Sequence, residues 1–179
     1  MRPSRFVLIA GLLALAAVEG CDTGLPPEVA RLGFVERELK FALDVPAGWT
    51  CRESRGTVAV VLTAPGAEDA AHPNVVVMAT PAGGLLTADD LAASGREDLK
   101  ALKGFREIAE EPRELADGHA ARVLTFDHAA LGSPVRQRQL YAVAGGRAYT
   151  VTATAPSPEA FEAHQADFET VLGSFRVAW

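Results

Sequence analysis

Cys21 is the residue whose surroundings most clearly specify a chemistry. Arg2 and Arg5 precede an uncharged apolar run, Phe6 to Val18, which leads into Glu19, Gly20 and Cys21. A charged start, an apolar stretch of secretory length and a small residue before a cysteine read as a bacterial lipoprotein signal. On that reading Cys21 is lipidated, residues 1–20 are removed, and Cys21 becomes the first residue of the mature chain. The lipoprotein pattern is Leu-(Ala/Ser)-(Gly/Ala)-Cys; here Val18-Glu19-Gly20-Cys21 departs from it at Glu19. A transmembrane anchor needs about 20 apolar residues, and Glu19 interrupts this run well short of that. Ordinary secretory cleavage after Ala14-Leu15-Ala16 is the other alternative. If Cys21 carries lipid, Cys51 is the one thiol left and is expected to be buried and inert. If cleavage falls earlier, Cys21 and Cys51 can close a disulfide in an oxidising compartment.

Other chemistry-bearing residues are sparse. His72, His119, His128 and His164 show no metal-ligand spacing. His119 and His128 fall at opposite ends of one expected strand, and both are expected in solvent. Asp127 and His128 are adjacent on that strand and therefore point to opposite faces. His164, three residues after Phe161 and four before Phe168, sits at the edge of a helical apolar stripe with one nitrogen expected in water. No serine stands in a Gly-x-Ser-x-Gly elbow; Ser94 is mid-helix and Ser133 lies in a turn. Gly83-Gly84 lacks the Lys and Ser/Thr of a phosphate loop and reads as a connector. Arg136 and Arg138 share one strand face with Leu140. Such a pair can receive a carboxylate or phosphate, but an exposed edge with acidic neighbours is the simpler reading. Trp49 is expected to plug the core, Trp179 to lie at a frayed end, and Tyr141 and Tyr149 to pair across a hairpin. No catalytic residue, metal site or cofactor is expected.

The elements that position these residues follow from periodicity and punctuation. Residues 22–31, with Gly24 and Pro26-Pro27, have no apolar period and read as a tether. Strand character covers Lys40–Val45, Thr57–Thr63 and Asn74–Thr80, each stopped by or just before a proline. Thr87 caps a helix whose first turn carries Asp89 and Asp90, with Leu91, Gly95, Leu99 and Leu102 on one face and Gly104 at its end. Strands return at Phe105–Glu111, Ala120–His128, Val135–Ala144 and Arg147–Ala155. Asp117-Gly118 and Gly145-Gly146 are hairpin turns between neighbours. Ser157-Pro158 opens a last helix with a stripe of Phe161, Phe168, Leu172 and Phe175. Consecutive hairpins with two helices predict an α+β fold, an antiparallel sheet with helices packed on its faces.

The chain has 179 residues and a net charge of −6. Loss of residues 1–20, which hold Arg2, Arg5 and Glu19, leaves a charge of −7 on a chain long enough for one domain. An acidic surface speaks against nucleic acid and against direct adsorption to anionic lipid headgroups, so contact with the membrane is expected through lipid on Cys21. The expected organisation is a signal peptide (1–20), a tether (21–33) and a single domain (34–179).

Across nearly all of residues 36–177 the chain resembles the PsbP-like superfamily, in its branch of small bacterial lipoproteins of the DcrB and LpqN type. The residues that carry the likeness are Phe41-Ala42-Leu43-Asp44-Val45-Pro46-Ala47-Gly48-Trp49, the Leu91–Leu102 helix, Gly118-His119-Ala120-Ala121, and Ala148–Ala155 followed by Phe161, Phe168 and Ser174-Phe175. The resemblance implies a three-layer α/β/α sandwich, carries no shared active site, and points to a non-catalytic binding or accessory module with an envelope protein partner. The alternative is a small-ligand carrier or sensor with a pocket between sheet and helix.

Overall fold

The computed structural model describes residues 33–177 apart from 55, 67–71, 85 and 131. Cys21, the tether expected at 21–33 up to residue 32, and Trp179 lie outside the described residues.

Thirteen elements follow in chain order among the described residues: β1 (Gly33–Glu36), β2 (Phe41–Asp44), β3 (Thr50–Glu53), β4 (Val58–Thr63), β5 (Asn74–Pro81), α1 (Ala88–Leu99), β6 (Arg106–Glu114), β7 (Ala120–Ala130), β8 (Ser133–Ala144), β9 (Arg147–Ala155), α2 (Pro158–Ala163), α3 (Gln165–Ser174) and β10 (Arg176–Val177). Seven strands form one antiparallel sheet in the order β3-β4-β5-β9-β8-β7-β6, and β1-β2-β10 form a second, small one. The Gly145-Gly146 turn, both residues at positive φ (57° and 74°), sets the β8–β9 register Ala144↔Arg147. Two successive positive-φ residues are the type I′ geometry that matches strand twist, and glycine adopts it without strain.

Strand alternation sends two sets of side chains to opposite faces. On one face Val60, Leu62, Val75, Val77, Leu140, Val151 and Ala153 meet Phe161, Phe168, Val171 and Leu172 of α2 and α3, together with Phe41, Leu43 and Phe175. On the other face Leu124, Phe126 and Tyr141 meet Ala92 and Leu99 of α1, with Leu91, Leu102 and Phe105 at the border. The result is the three-layer α/β/α sandwich, with the small sheet sharing the α2–α3 layer.

Thr87 caps α1 as expected and does more: its hydroxyl accepts from the Asp90 N–H while the Asp90 carboxylate receives the Thr87 N–H, a capping box. Gly95 is needed for close approach, because a Cβ there would stand 2.7 Å from the Tyr141 hydroxyl oxygen. The helix ends at Leu99, and tight turns carry the chain on to Gly104.

Two expectations are corrected here, and three short strands are added. The last helix is broken in two at His164, whose φ of −107° and ψ of 13° are not helical. Tyr141 and Tyr149 do not pair across their hairpin: the register opposes Tyr141 to Thr150 and Tyr149 to Ala142, so the two rings enter different cores. β1, β3 and β10, each four residues or fewer, carry too little alternation to stand out in the sequence.

Candidate binding surface

The Pro46-Ala47-Gly48-Trp49 segment turns the chain from the small sheet into the large one, and its tryptophan closes the α3 end of the main core. Trp49 is buried, 8 % exposed, edge-on to Phe168 at 5.9 Å and to His164 at 6.1 Å. Its indole N–H donates to Asp167 Oδ2 at 3.2 Å, and His164 Nδ1 lies 3.2 Å from the same oxygen. The core reading of Trp49 holds, and the helix break at His164 is what turns that imidazole onto Trp49. Beside this cluster a groove of about 460 Å³ runs between the Asp44–Ala47 segment and α3, lined by Asp44, Asp167, Glu169, Thr170 and Ser174 among others. Its lining is acidic and hydroxylated. Ser174 Oγ accepts the Asp44 N–H at 2.8 Å and donates to the Thr170 carbonyl at 2.6 Å, so this hydroxyl is engaged in joining α3 to β2.

Arg136 and Arg138 do share a face, but on an interior strand rather than an exposed edge. Arg136 donates from Nε to Asp127 Oδ1 at 2.8 Å and from Nη1 to Glu162 at 2.9 Å. Arg138 bridges Glu111 of β6 and Glu169 of α3, and Glu169 also receives Arg113 at 2.6 Å. Arg106 completes the Asp127 pair at 2.6 Å. The Arg136 hydrogen bond, and after it that of Arg106, holds the Asp127 carboxyl below the usual carboxylate range despite partial burial. These arginines tie β6, β7 and the α2–α3 layer together; the chain's own carboxylates occupy them, as the acidic-neighbour reading expected.

The remaining residues divide plainly. His119 is a turn residue, its Nδ1 3.1 Å from Asp117. His128 corrects the solvent expectation: it is 6 % exposed. Cys51 corrects the buried one: it lies exposed on β3. Desolvation of its thiol, with a smaller contribution from the Glu53 charge, still pushes its pKa up to about 11. Among the described residues no group of three or more His, Cys, Asp or Glu is placed to hold a metal ion, and no helix is long and apolar enough to cross a membrane.

The two ends of the large sheet differ. β6 is interrupted by a register shift between Glu107 and Ala109, carries Pro112, and bears Glu107, Glu110, Glu111 and Glu114, all devices that discourage a further strand. β3 carries the charged Arg52 and Glu53 but no proline or register shift, and all four of its residues are exposed. The Ser54 N–H donates to the Ala59 carbonyl at 3.0 Å, which extends the β3–β4 register of Thr50↔Thr63 and Arg52↔Val61. Alternation in an antiparallel ladder then turns the backbone N–H and C=O of Cys51 and Glu53 outward. Sequence reading missed this edge because β3 has no alternating apolar pattern to mark it.

The sequence matches no family model, and no curated protein matches it. Solved structures do. LpqN of Mycobacterium tuberculosis, described as involved in cell envelope biogenesis, is 17 % identical with a TM-score of 0.61, over 78 % of this chain and 83 % of that one. Cyanobacterial PsbP from Synechocystis is also 17 % identical, TM-score 0.62, over 91 % and 98 %. The Saccharomyces cerevisiae Ran-binding protein Mog1p is 9 % identical, TM-score 0.56, over 82 % and 94 %. What such distant sequences share is architecture. With its seven-stranded antiparallel sheet between α1 and the α2–α3 layer, the chain has the PsbP-like fold of cyanobacterial PsbP and LpqN.

Proposed function

We propose that this protein is a lipid-anchored lipoprotein of the cell envelope that acts without catalysis, as a binding or accessory module for a protein partner. The observation that carries the reading is the conjunction of a charged start, an apolar run and Gly20-Cys21, a pattern that resembles a lipoprotein signal, with a fold shared by an envelope-biogenesis protein and a Ran-binding protein. The β3 edge, which pairs with no further strand among the described residues, supplies a means of recognition. An extended segment laid along it gains main-chain hydrogen bonds at Cys51 and Glu53, the mode of β-strand addition. Two of the groups with displaced pKa values fit a non-catalytic role: Asp127 and Arg136 are paired with each other, and desolvation pushes the Cys51 thiol up to about 11, away from the reactive thiolate.

The anchor is tested by feeding cells an alkyne-labelled fatty acid and fractionating them. The wild type is expected to take up label and sediment with membranes, and Cys21→Ala to lose both. A Cys21→Ala protein that stays membrane-bound removes the lipoprotein reading.

A further inference from the structure

His128 stands near the end of β7, on the face that α1 covers. Its ring lies 5.9 Å from that of Phe126, and Phe126 in turn packs on Phe105 at 5.5 Å. The α1–β6 connection closes over this end of the strand: the Ala129 N–H donates to the Lys103 carbonyl at 2.8 Å, and Gly104 lies against Ala129. Both ring nitrogens of His128 are buried, and neither makes a hydrogen bond to a described residue. A neutral imidazole tolerates such a site at moderate cost, whereas an imidazolium there is a charge taken out of water.

The charged groups that the packed elements bring to this end of the sheet do not relieve that cost. Asp127, next in the chain, points to the opposite face and is already held by Arg136 of β8 and Arg106 of β6. Lys103 of the connection is exposed and cationic. Glu97 and Lys100, at the end of α1, pair with each other in solvent at 2.6 Å, and Glu107 of β6, opposite Phe126, is paired with Arg96 of α1 at 3.0 Å. From β8, Val135 stands opposite His128, and the neighbouring Gln137 is neutral, its amide nitrogen donating to Thr154 at 3.1 Å. Burial accordingly holds the His128 pKa below the ordinary histidine value, against smaller opposing effects of the Ala129 backbone and the Asp127 charge.

We propose that His128 is an acid-sensitive catch that keeps the α1–β6 connection closed on β7, and that its protonation releases this connection while the α2–α3 core stays packed. The sign follows from linkage. The unfolded or opened state takes up a proton near the ordinary value of about 6.5, and the closed state only at lower pH. The closed state is therefore fully favoured above about 6.5 and loses ground as pH falls below it. The two cores share the sheet but few side chains, which lets one loosen without the other.

The test is hydrogen exchange by mass spectrometry at pH 7.5 and pH 5.0, corrected for intrinsic rates, on the wild type and on His128→Phe. In the wild type, amides of residues 99–107 and 126–130 are expected to exchange faster at pH 5.0 than at pH 7.5, because burial holds the His128 pKa below its ordinary value. Amides of α3 are expected to be unchanged, and the pH effect to vanish in His128→Phe. An equal response across the whole domain, no response, or a response that survives in His128→Phe overturns the proposal. Should the variant not fold, titration of the His128 ring protons by NMR in the wild type decides it: a midpoint below 6.5 supports the catch, and one at or above 6.5 removes it.

Discussion

Trp49 shows how one side chain joins sequence to architecture. The Pro-x-Gly-Trp spacing was sufficient to place it in the core, because a large aromatic after a tight turn at the start of a domain has few other places to bury its area. Its partners were not legible: Asp167 and His164 are more than a hundred residues away, and the His164 ring meets Trp49 at the point where the helix breaks. Trp49→Ala is expected to lower unfolding free energy by about 3–5 kcal/mol, read by urea denaturation; a loss below about 1 kcal/mol contradicts its place in the core. Cys51 and His128 both reversed expectation, for one reason. Burial at the end or edge of a sheet depends on what covers it, and periodicity within a strand does not reveal cover. The Cys51 thiol, with a pKa of about 11, is expected to react with iodoacetamide at pH 7.5 roughly a hundredfold more slowly than an ordinary cysteine thiol, since the thiolate is the nucleophile. Labelling at the ordinary rate contradicts the exposed-but-desolvated description.

At the scale of elements, the long strands and α1 were readable because each carries a full signal: the Thr87 cap with Asp90, the Gly145-Gly146 turn, and β-branched runs ending at prolines. The split of the last helix was not, since the Phe161–Phe168–Leu172 spacing continues a helical stripe straight across His164. Gly95 illustrates a local preference overruled by packing. Replacing an interior helical glycine with alanine ordinarily gains up to about 1 kcal/mol. Here the new methyl meets the ring of Tyr141 at 2.7–2.9 Å, so Gly95→Ala is expected to cost about 1–3 kcal/mol by overpacking, seen as a lower thermal midpoint. A rise in the midpoint contradicts the close approach of α1 to β8.

At the scale of the whole molecule, the arginine network and the sheet edges divide the work. Arg136 and Arg138 lie inside and are matched by Asp127, Glu162, Glu111 and Glu169, so this charged belt is structural. Their shared strand face was legible from alternation; the carboxylates that meet them come from β6, β7, α2 and α3 and needed the fold. The edges are unequal: β6 is guarded by Pro112 and glutamates, while β3 turns the Cys51 and Glu53 backbones outward. On the proposed reading, the PsbP-like domain is held at the membrane through Cys21, and the β3 edge, which pairs with no further strand among the described residues, takes a strand from a partner. The most direct measurement is affinity capture of the full-length protein from crosslinked native envelopes, with Cys21→Ala and Glu53→Pro run alongside. Proline at residue 53 removes an outward N–H without breaking the ladder to β4. The account predicts one dominant co-purifying protein with the wild type, lost in Cys21→Ala and weakened in Glu53→Pro. Capture of no enriched protein by the wild type contradicts the account.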